Sequence, residues 1–490
     1  NWNSRDADGV SMNEDNSIAM DTEDAGPASV TEMAVNYAWK FQRFILSQMS
    51  ANPPTVLARP TSSDGEDRQK ADAADRIVRH GYHDKDAQEL FDLTNLKCLT
   101  YGIGYIKCEW DPDLGDTFDF DEQTGELTMT GDINTYSPST WNMWIDPDAK
   151  AKAEVRWLFE KLEMPCDEAK FAWGDSIDDI ERFIKNRSAD SVSSLQDFHD
   201  NEGIVEIFCY VEKALPINGM VGRMAYCLED GTILGEPSHN TNPGHVLGYT
   251  WITDVDVPDQ VYGKSFVEYV YKLQDLLNRL DTSFVDAIAA NNVVRMVLQE
   301  GAEVEDASVG NSSWDWIKIT GNSGNGPYYA PAASLMPDSH KLRENLINAI
   351  QELAGVNDAL QGNSSREVSG FSLQTMIDAA NTVRRRLFNK YTLMVRDFWK
   401  MYLANARTFW KEPRTIMVIG KEHALEAADF TGADINGGYD ILCEYGVSLS
   451  LDPARRREEI MQLMPIFEKA GIPHKTVLSM LKLNELETLY

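Results

Sequence analysis

No run of about 18 apolar residues occurs in this sequence, so no segment of it has the length and apolarity of a membrane-spanning helix. Cysteine is sparse and scattered. Cys98, Cys108, Cys166, Cys209, Cys227 and Cys443 form no Cys-x-x-Cys pair, which argues against a disulfide framework or a zinc site and suits a reducing compartment. Positive charge is also in short supply: 45 Lys and Arg stand against 78 Asp and Glu, a formal net charge of -33. A protein that grips nucleic acid by neutralising phosphates carries the opposite balance. The nearest approach to a nucleophile elbow, "VSGFS", has the wrong order. "YGIGY" and "GNSGNG" lack the strand–GxxxxGK[ST]–helix context of a phosphate loop and read as turns. No internal repeat is evident. The chain opens on Asn1 and not Met, which leaves room for a trimmed segment upstream.

What is present describes a folded chain. At 490 residues, 43% hydrophobic and 10% aromatic, it has material for a large core and two or more substructures. Residues 1–27 are acidic and almost free of large apolar groups, and read as a flexible arm. A helix is expected from about Ala28 to Met49, stopped by Pro53 and Pro54, and helical periodicity returns over 66–102. "YGIGYIKCEWDP" then alternates like a strand, and 111–147 read as strands joined by turns. Residues 155–190 are expected to be helical, and 203–252 hold three strand-like runs. From Gly263 to about Val297 apolar residues recur in threes and fours (Phe266, Val270, Leu273, Leu277, Leu280, Phe284, Ile288), opposite Lys272, Asp275 and Arg279. A turn-rich, aromatic insert occupies 300–337, and a second helix follows from Asp338 to Leu353. Next come a Gly/Ser/Asn loop and a helical pattern from Phe371 to Phe409, roughly 55 to 60 Å long. "RTIMVIG" and "YDILCEYGV" are expected to pair as strands, and Asp452-Pro453 opens a last helical segment.

Candidate sites for chemistry are weak. His80 and His83 have the spacing of a shared metal, but no third ligand is near. "DPDLGDTFDFDEQTGE" puts its Gly in the wrong place for a calcium loop and reads as a solvated hairpin. Asp254 and Asp256 in "TDVDVP" offer a carboxylate pair for hydrolysis, although i, i+2 acids beside a proline are commonplace at a strand exit. Arg384–Arg386 and Arg455–Arg457 are basic clusters, best read as charge pairing or subunit contacts.

The order of parts carries more information than any motif. "YGIGYIKCEWDP", "INTYSPSTWNMWIDPDAK", "VYGKSFVEYVYKLQDLLNRLDTSF", "AGVNDALQGNSSREVSGFSLQTMIDAA" and "GVSLSLDPARRREEIMQLMPIFEKAGIP" follow one another in an order that resembles the portal protein, or head-to-tail connector, of tailed double-stranded DNA bacteriophages. The resemblance runs from about residue 28 onward. It implies an α+β, mainly helical portal fold with wing, stem, clip and crown, assembled as a ring, normally a dodecamer, at one capsid vertex of the virion. It places a wing at 28–260, a first stem helix at 261–299, the clip at 300–337 and a second stem helix at 338–356. A tunnel loop at 357–370, a long helix with returning wing strands at 371–450 and a short helical crown at 451–490 complete the chain.

The same resemblance implies the site residues and partners. Ser364, Ser365, Arg366 and Glu367 would tip the tunnel loop, with Lys272 and Arg279 as further contacts to the DNA passing through. Trp314, Trp316, Tyr328 and Tyr329 would be clip anchors for the terminase large subunit and later the head-tail adaptor. Major capsid and scaffolding proteins would meet the ring as it assembles in the host cytoplasm. No catalytic residue, cofactor, metal or membrane is implied. The alternative is an acidic hydrolase using the carboxylate pair; a further one is another virion component such as an adaptor. Acidity itself suits a conduit, because a lumen that repels phosphate lets a duplex slide, while a few cations centre it without reading bases.

Overall fold

The computed structural model describes residues 33–51, 53–115, 117–120, 127–174, 204–214, 221–292, 296–297, 303–304, 319–320, 328–329, 337–356, 370–411, 414–419 and 425–444. Two compact units emerge. One joins Asn1–Trp39 to Val270–Glu352, the other Lys40–Tyr269 to Leu353–Tyr490.

The larger unit is built on two antiparallel sheets. In the three-stranded sheet, β2 (Ile103–Asp111) lies between β11 (Tyr249–Thr253) and β5 (Asp132–Tyr136), with Tyr105 opposite Trp251 and Lys107 opposite Tyr136. In the five-stranded sheet, β6 (Met143–Ile145), β7 (Trp157–Pro165), β8 (Ile204–Glu212), β9 (Arg223–Cys227) and β10 (Ile233–His239) follow one another as a meander. Residues of both sheets meet in one core: Ile103, Tyr105, Tyr249 and Trp251 from the first, Met143, Ile145, Leu158, Cys209 and Val211 from the second. Strand β8 alternates as a half-buried strand should, with Val205, Ile207, Cys209 and Val211 facing inward. Strand β2 does not alternate. Its first six residues are all buried, because helices cover the face turned away from the sheet core.

Those helices are α3 (Ala87–Tyr101), which follows α1 (Tyr37–Ala51) and α2 (Gly65–Asp84), and the 40-residue α7 (Gly370–Phe409). Helix α7 buries Leu387, Tyr391, Met394, Phe398, Tyr402 and Leu403 at helical spacing. Phe91 of α3 meets two of these rings, Tyr391 at 6.4 Å and Phe398 at 5.4 Å between centroids, both edge-on. Helices α2 and α3 are parted at Lys85 and Asp86, where Asp86 takes a left-handed conformation. Strand β1 (Thr55–Pro60) pairs with β18 (Tyr439–Glu444), tying the early chain to the late.

Four sequence expectations change. Residues 157–165 form strand β7, and the α-helix within 155–190 is limited among the described residues to short α4 (Cys166–Ala172). The strands "RTIMVI" (β16, Arg414–Ile419) and "YDILCE" (β18) exist but do not pair together; β16 takes β17 (Leu425–Phe430) instead. Among the described residues the first helix starts at Tyr37, and 33–36 before it are not helical. "YGIGY" supplies a turn only at Gly102, which ends α3 with φ +90°; the next residue already belongs to β2.

In the smaller unit, α5 (Phe266–Asn292) contributes its length from Val270 onward and α6 (Pro337–Ala354) its length to Glu352. They run antiparallel, as the pairs Asp281–Arg343 and Phe284–His340 require. Arg343 grips Asp281 with two bonds, Nε to Oδ1 at 2.6 Å and Nη2 to Oδ2 at 3.1 Å, and Phe284 stacks on His340 at 5.1 Å. Gln274 anchors the chain entering α1: its Oε1 accepts from the N–H groups of Tyr37 and Ala38, and its Nε2 donates to Val35 O. Between α5 and α6, the described backbone is limited to two short antiparallel pairs, β12 (Met296–Val297) with β15 (Tyr328–Tyr329) and β13 (Glu303–Val304) with β14 (Ile319–Thr320).

Candidate functional site

The start of α5 is where chemistry-bearing side chains converge. Two glycine turns meet there. A Cβ on Gly102 would lie 2.6 Å from Gly263 O, so "YGIGY" and "VYGKS" can cross only as glycines. Asp254, at the exit of β11, accepts the N–H of Phe266 through Oδ2 at 2.8 Å, and the Ser265 hydroxyl accepts the N–H of Val267 at 3.0 Å. Together they satisfy two donors that a helix N-terminus leaves open. The Ser265 hydroxyl donates in turn to Leu99 O.

Helix α7 closes the junction with cations. Lys390 donates to Thr253 O at 3.0 Å, to Asp254 O at 2.9 Å and to the Asp256 carboxylate. Arg386 reaches the other oxygen of Asp256 at 2.5 Å. Burial pushes the Asp256 carboxyl up, but the Lys390 hydrogen bond and charge outweigh it and hold the group below its ordinary range. Asp254 goes the other way: burial raises it to about 6, against the Phe266 hydrogen bond and the charges of Lys390 and Arg384. Arg384 is buried, donates to Ala354 O and is lowered to about 10 by desolvation. Of the 384–386 cluster, then, two residues are tied into the fold and Arg385 is exposed.

Both carboxylates of the hydrolase reading are therefore engaged, one as a helix cap and one as an ion-pair partner. Nothing in this arrangement supports hydrolysis. His83 packs its ring edge-on to Tyr82 at 5.8 Å, and among the described residues no group of three His, Cys, Asp or Glu could hold a metal.

The residues singled out for DNA and partner contact are only partly placed. Lys272 is exposed on α5. Arg279 is exposed and pairs with Asp275 one turn earlier at 2.9 Å, a contact of small energetic weight. The two lie on one face of the helix, seven residues apart. The backbone of Tyr328 and Tyr329 forms β15, opposite Val297 and Met296. Ser364, Ser365, Arg366, Glu367, Trp314 and Trp316 lie outside the described residues, as do residues 1–32, the crown at 451–490 and Arg455–Arg457. Sequence reading passed over Lys390 and Ser265. The signal for Ser265 was available: a Ser immediately before an apolar-periodic run is a helix-start mark.

Comparison with known families places this architecture. The family model described as "Phage P22-like portal protein" matches residues 29–487, which is nearly the whole chain. No curated protein matches it.

Proposed function

The chain belongs to the family of P22-like phage portal proteins, and from that membership we propose how its parts divide the work. It is a portal protein, forming the channel at one capsid vertex through which phage DNA is packaged and ejected. Portal proteins are structural components of the virion, and in this reading the chain carries no catalytic residue: ATP is hydrolysed by the terminase that docks on it.

The finer assignment is as follows. Twelve copies form the ring. Residues 28–260 make the wing, α5 and α6 tilt around the channel as the stem, 300–337 form the clip, 357–370 project as the tunnel loop and 451–490 face the capsid interior as the crown. Trp314, Trp316, Tyr328 and Tyr329 anchor first the terminase large subunit and then the head-tail adaptor. Ser364, Ser365, Arg366 and Glu367, with Lys272 and Arg279, border the moving duplex. Major capsid and scaffolding proteins surround the wing during assembly in the host cytoplasm.

The observation that carries the reading is the match over residues 29–487. Two physical features support it. Tyr271, Leu276 and Ile288 on α5 and Leu342 on α6 are exposed although large and apolar, as expected of helices that a neighbouring copy covers. The net charge of -33 opposes tight adhesion of phosphate, which a sliding duplex requires. The test is the mass of the purified full chain by native mass spectrometry with negative-stain imaging. Rings near 660 kDa, twelve times the 55.1 kDa chain, are expected; a stable monomer at micromolar concentration defeats the assignment.

A further inference from the structure

The sequence holds three Asn-Gly pairs, and Asn436–Gly437 is the one that falls within the described residues. It lies between the 3-10 turn Gly432–Ile435 and β18. We propose that this pair is a site of spontaneous covalent modification: Asn436 converts through a succinimide into an isoaspartyl linkage, which loosens the pairing of β18 with β1.

Access gives the first reason. Asn436 is exposed, and among the described residues its side chain makes no hydrogen bond. A Cβ built on Gly437 would meet nothing within 4 Å, so the space beside the attacking nitrogen is open. Other asparagines show what protection looks like. Asn242 precedes Pro243, which has no N–H to lose. Asn240 precedes β-branched Thr241, and its Nδ2 is held by Glu212 O at 3.0 Å and Val246 O at 2.7 Å. Asn405 is buried in α7 with its Nδ2 on Met401 O at 3.1 Å.

Backbone freedom gives the second. Asn436 has φ -78° and ψ 84°, and the Gly437 N–H donates to Ile435 O at 3.0 Å, an inverse γ-turn centred on the asparagine. Rotation about ψ of Asn436 breaks that bond and turns the nitrogen toward the side chain. Gly437 and Gly438, at φ +76° and +80°, absorb the rotation because glycine reaches either sign of φ at little cost. Having lost its proton to hydroxide, the Gly437 nitrogen attacks Asn436 Cγ. A C–N bond forms, the Cγ–Nδ2 bond breaks, and Nδ2 leaves as ammonia with a proton from water. Water then opens the succinimide. Attack at Cγ leaves aspartate; attack at the main-chain carbonyl leaves isoaspartate, whose backbone is longer by a methylene.

The surroundings make that extra length matter. Upstream, Ile435 is fully buried and the Gly432 N–H donates to Trp410 O at 2.8 Å. Downstream, Gly438 O accepts the Thr61 N–H at 3.0 Å, and a Cβ on Gly438 would lie 2.3 Å from Asp67 Oδ1. The turn is open to solvent but fixed at both ends, and the next residues already pair, Tyr439 with Pro60 and Asp440 with Arg59. A longer backbone can be accommodated only by displacing the start of β18.

Ageing of the purified full chain at neutral and at mildly alkaline pH, followed by digestion and peptide mass spectrometry, tests this. The peptide holding Asn436 should exchange its amide for an acid at least about tenfold faster than those holding Asn240 and Asn405, whose neighbours and hydrogen bonds restrain them. Its rate should rise with pH, because the nitrogen attacks only after losing its proton. A protein isoaspartyl methyltransferase should then methylate the converted peptide. Amide hydrogen exchange over Thr55–Pro60 should speed up about tenfold in the aged chain. Asn436→Gln, whose longer side chain closes a larger ring slowly, should keep its original exchange after the same treatment. Asn436→Asp adds the charge without the methylene and should also keep it. Conversion at Asn436 no faster than at Asn240 overturns the proposal. So does unchanged exchange of Thr55–Pro60 in a converted chain, or equal loosening in fresh Asn436→Asp.

Discussion

Replacing Asp254 by Asn should stabilise the protein at neutral pH and do so less and less as the solution is acidified. The carboxyl is raised from 3.8 to about 6, chiefly by burial, so the folded protein holds a proton that the unfolded chain has already released. A raised acid acts opposite to the usual salt-bridged one: stability is lost as pH rises from about 4 to about 6 and stays lost above. The difference between those two values corresponds to roughly 3 kcal/mol. Asn keeps an oxygen to accept the Phe266 N–H, so the cap survives while the ionisation penalty disappears. With an unfolding entropy of about 2.1 cal/mol/K per residue, a 490-residue chain gains roughly 1 °C per kcal/mol. Melting temperature by scanning calorimetry should then favour D254N by about 3 °C at pH 8 relative to its position at pH 4. Subtracting variant from wild type removes the titration of every other acid. A difference that is flat with pH, or that shrinks as pH rises, would refute the claim that Asp254 is buried against its own charge.

Three further outcomes follow from the same contacts. Gly104→Ala should destabilise by about 3 kcal/mol or more, because its Cβ would sit 2.2 Å from Thr94 O, a backbone atom of α3 that has no room to retreat; a variant melting like wild type disproves that close approach. Arg343→Leu should cost about 2 to 3 kcal/mol in denaturant unfolding by leaving the buried Asp281 unpaired, and Asp281→Asn in the same chain should recover most of that loss. The triple variant Lys272→Ala, Arg279→Ala, Arg366→Ala should change stability by about 1 kcal/mol or less, since the Arg279–Asp275 pair is exposed; in packaging assays it should lower DNA retention, and unchanged packaging and retention would remove these three from the channel.

The failures of sequence reading have physical causes. In residues 157–165 Leu158 and Leu162 stand four apart, a spacing a helix shares, whereas the strand's own period of two is hidden by Glu160. That glutamate is buried at the position where an apolar residue would announce a strand. It can be buried because Tyr136 and Tyr249 donate to its carboxylate and Lys107 supplies the charge. None of those partners is near it in sequence, so the disguise is removed only by the fold. The pairing of β18 with β1 is likewise beyond local pattern, as their partners are hundreds of residues apart. Long periodic helices fared better: α6 and α7 lie within a residue of where their apolar spacing put them, while α5 runs from Phe266 to Asn292 rather than from Gly263 to about Val297, because Met296 and Val297 belong to strand β12.

The junction beneath α5 shows which part of a site composition can and cannot announce. Asp254 and Asp256 look interchangeable in "TDVDVP", and the sequence offers no reason to rank them. In the fold they differ in kind. Asp256 faces two cations and stays readily charged, while half-buried Asp254 holds a helix N-terminus and resists ionisation. Alternation along a strand exit is enough to send i and i+2 to one side of the chain, so the separation must come from what lies beyond them. Here that is Lys390 and Arg386, one turn apart on α7, which reach Asp256 and take both of its oxygens. Of the two carboxylates that attracted a catalytic reading, Asp256 is therefore spent on holding helix to strand, and Asp254 gains its unusual proton affinity from a structural duty rather than from a substrate.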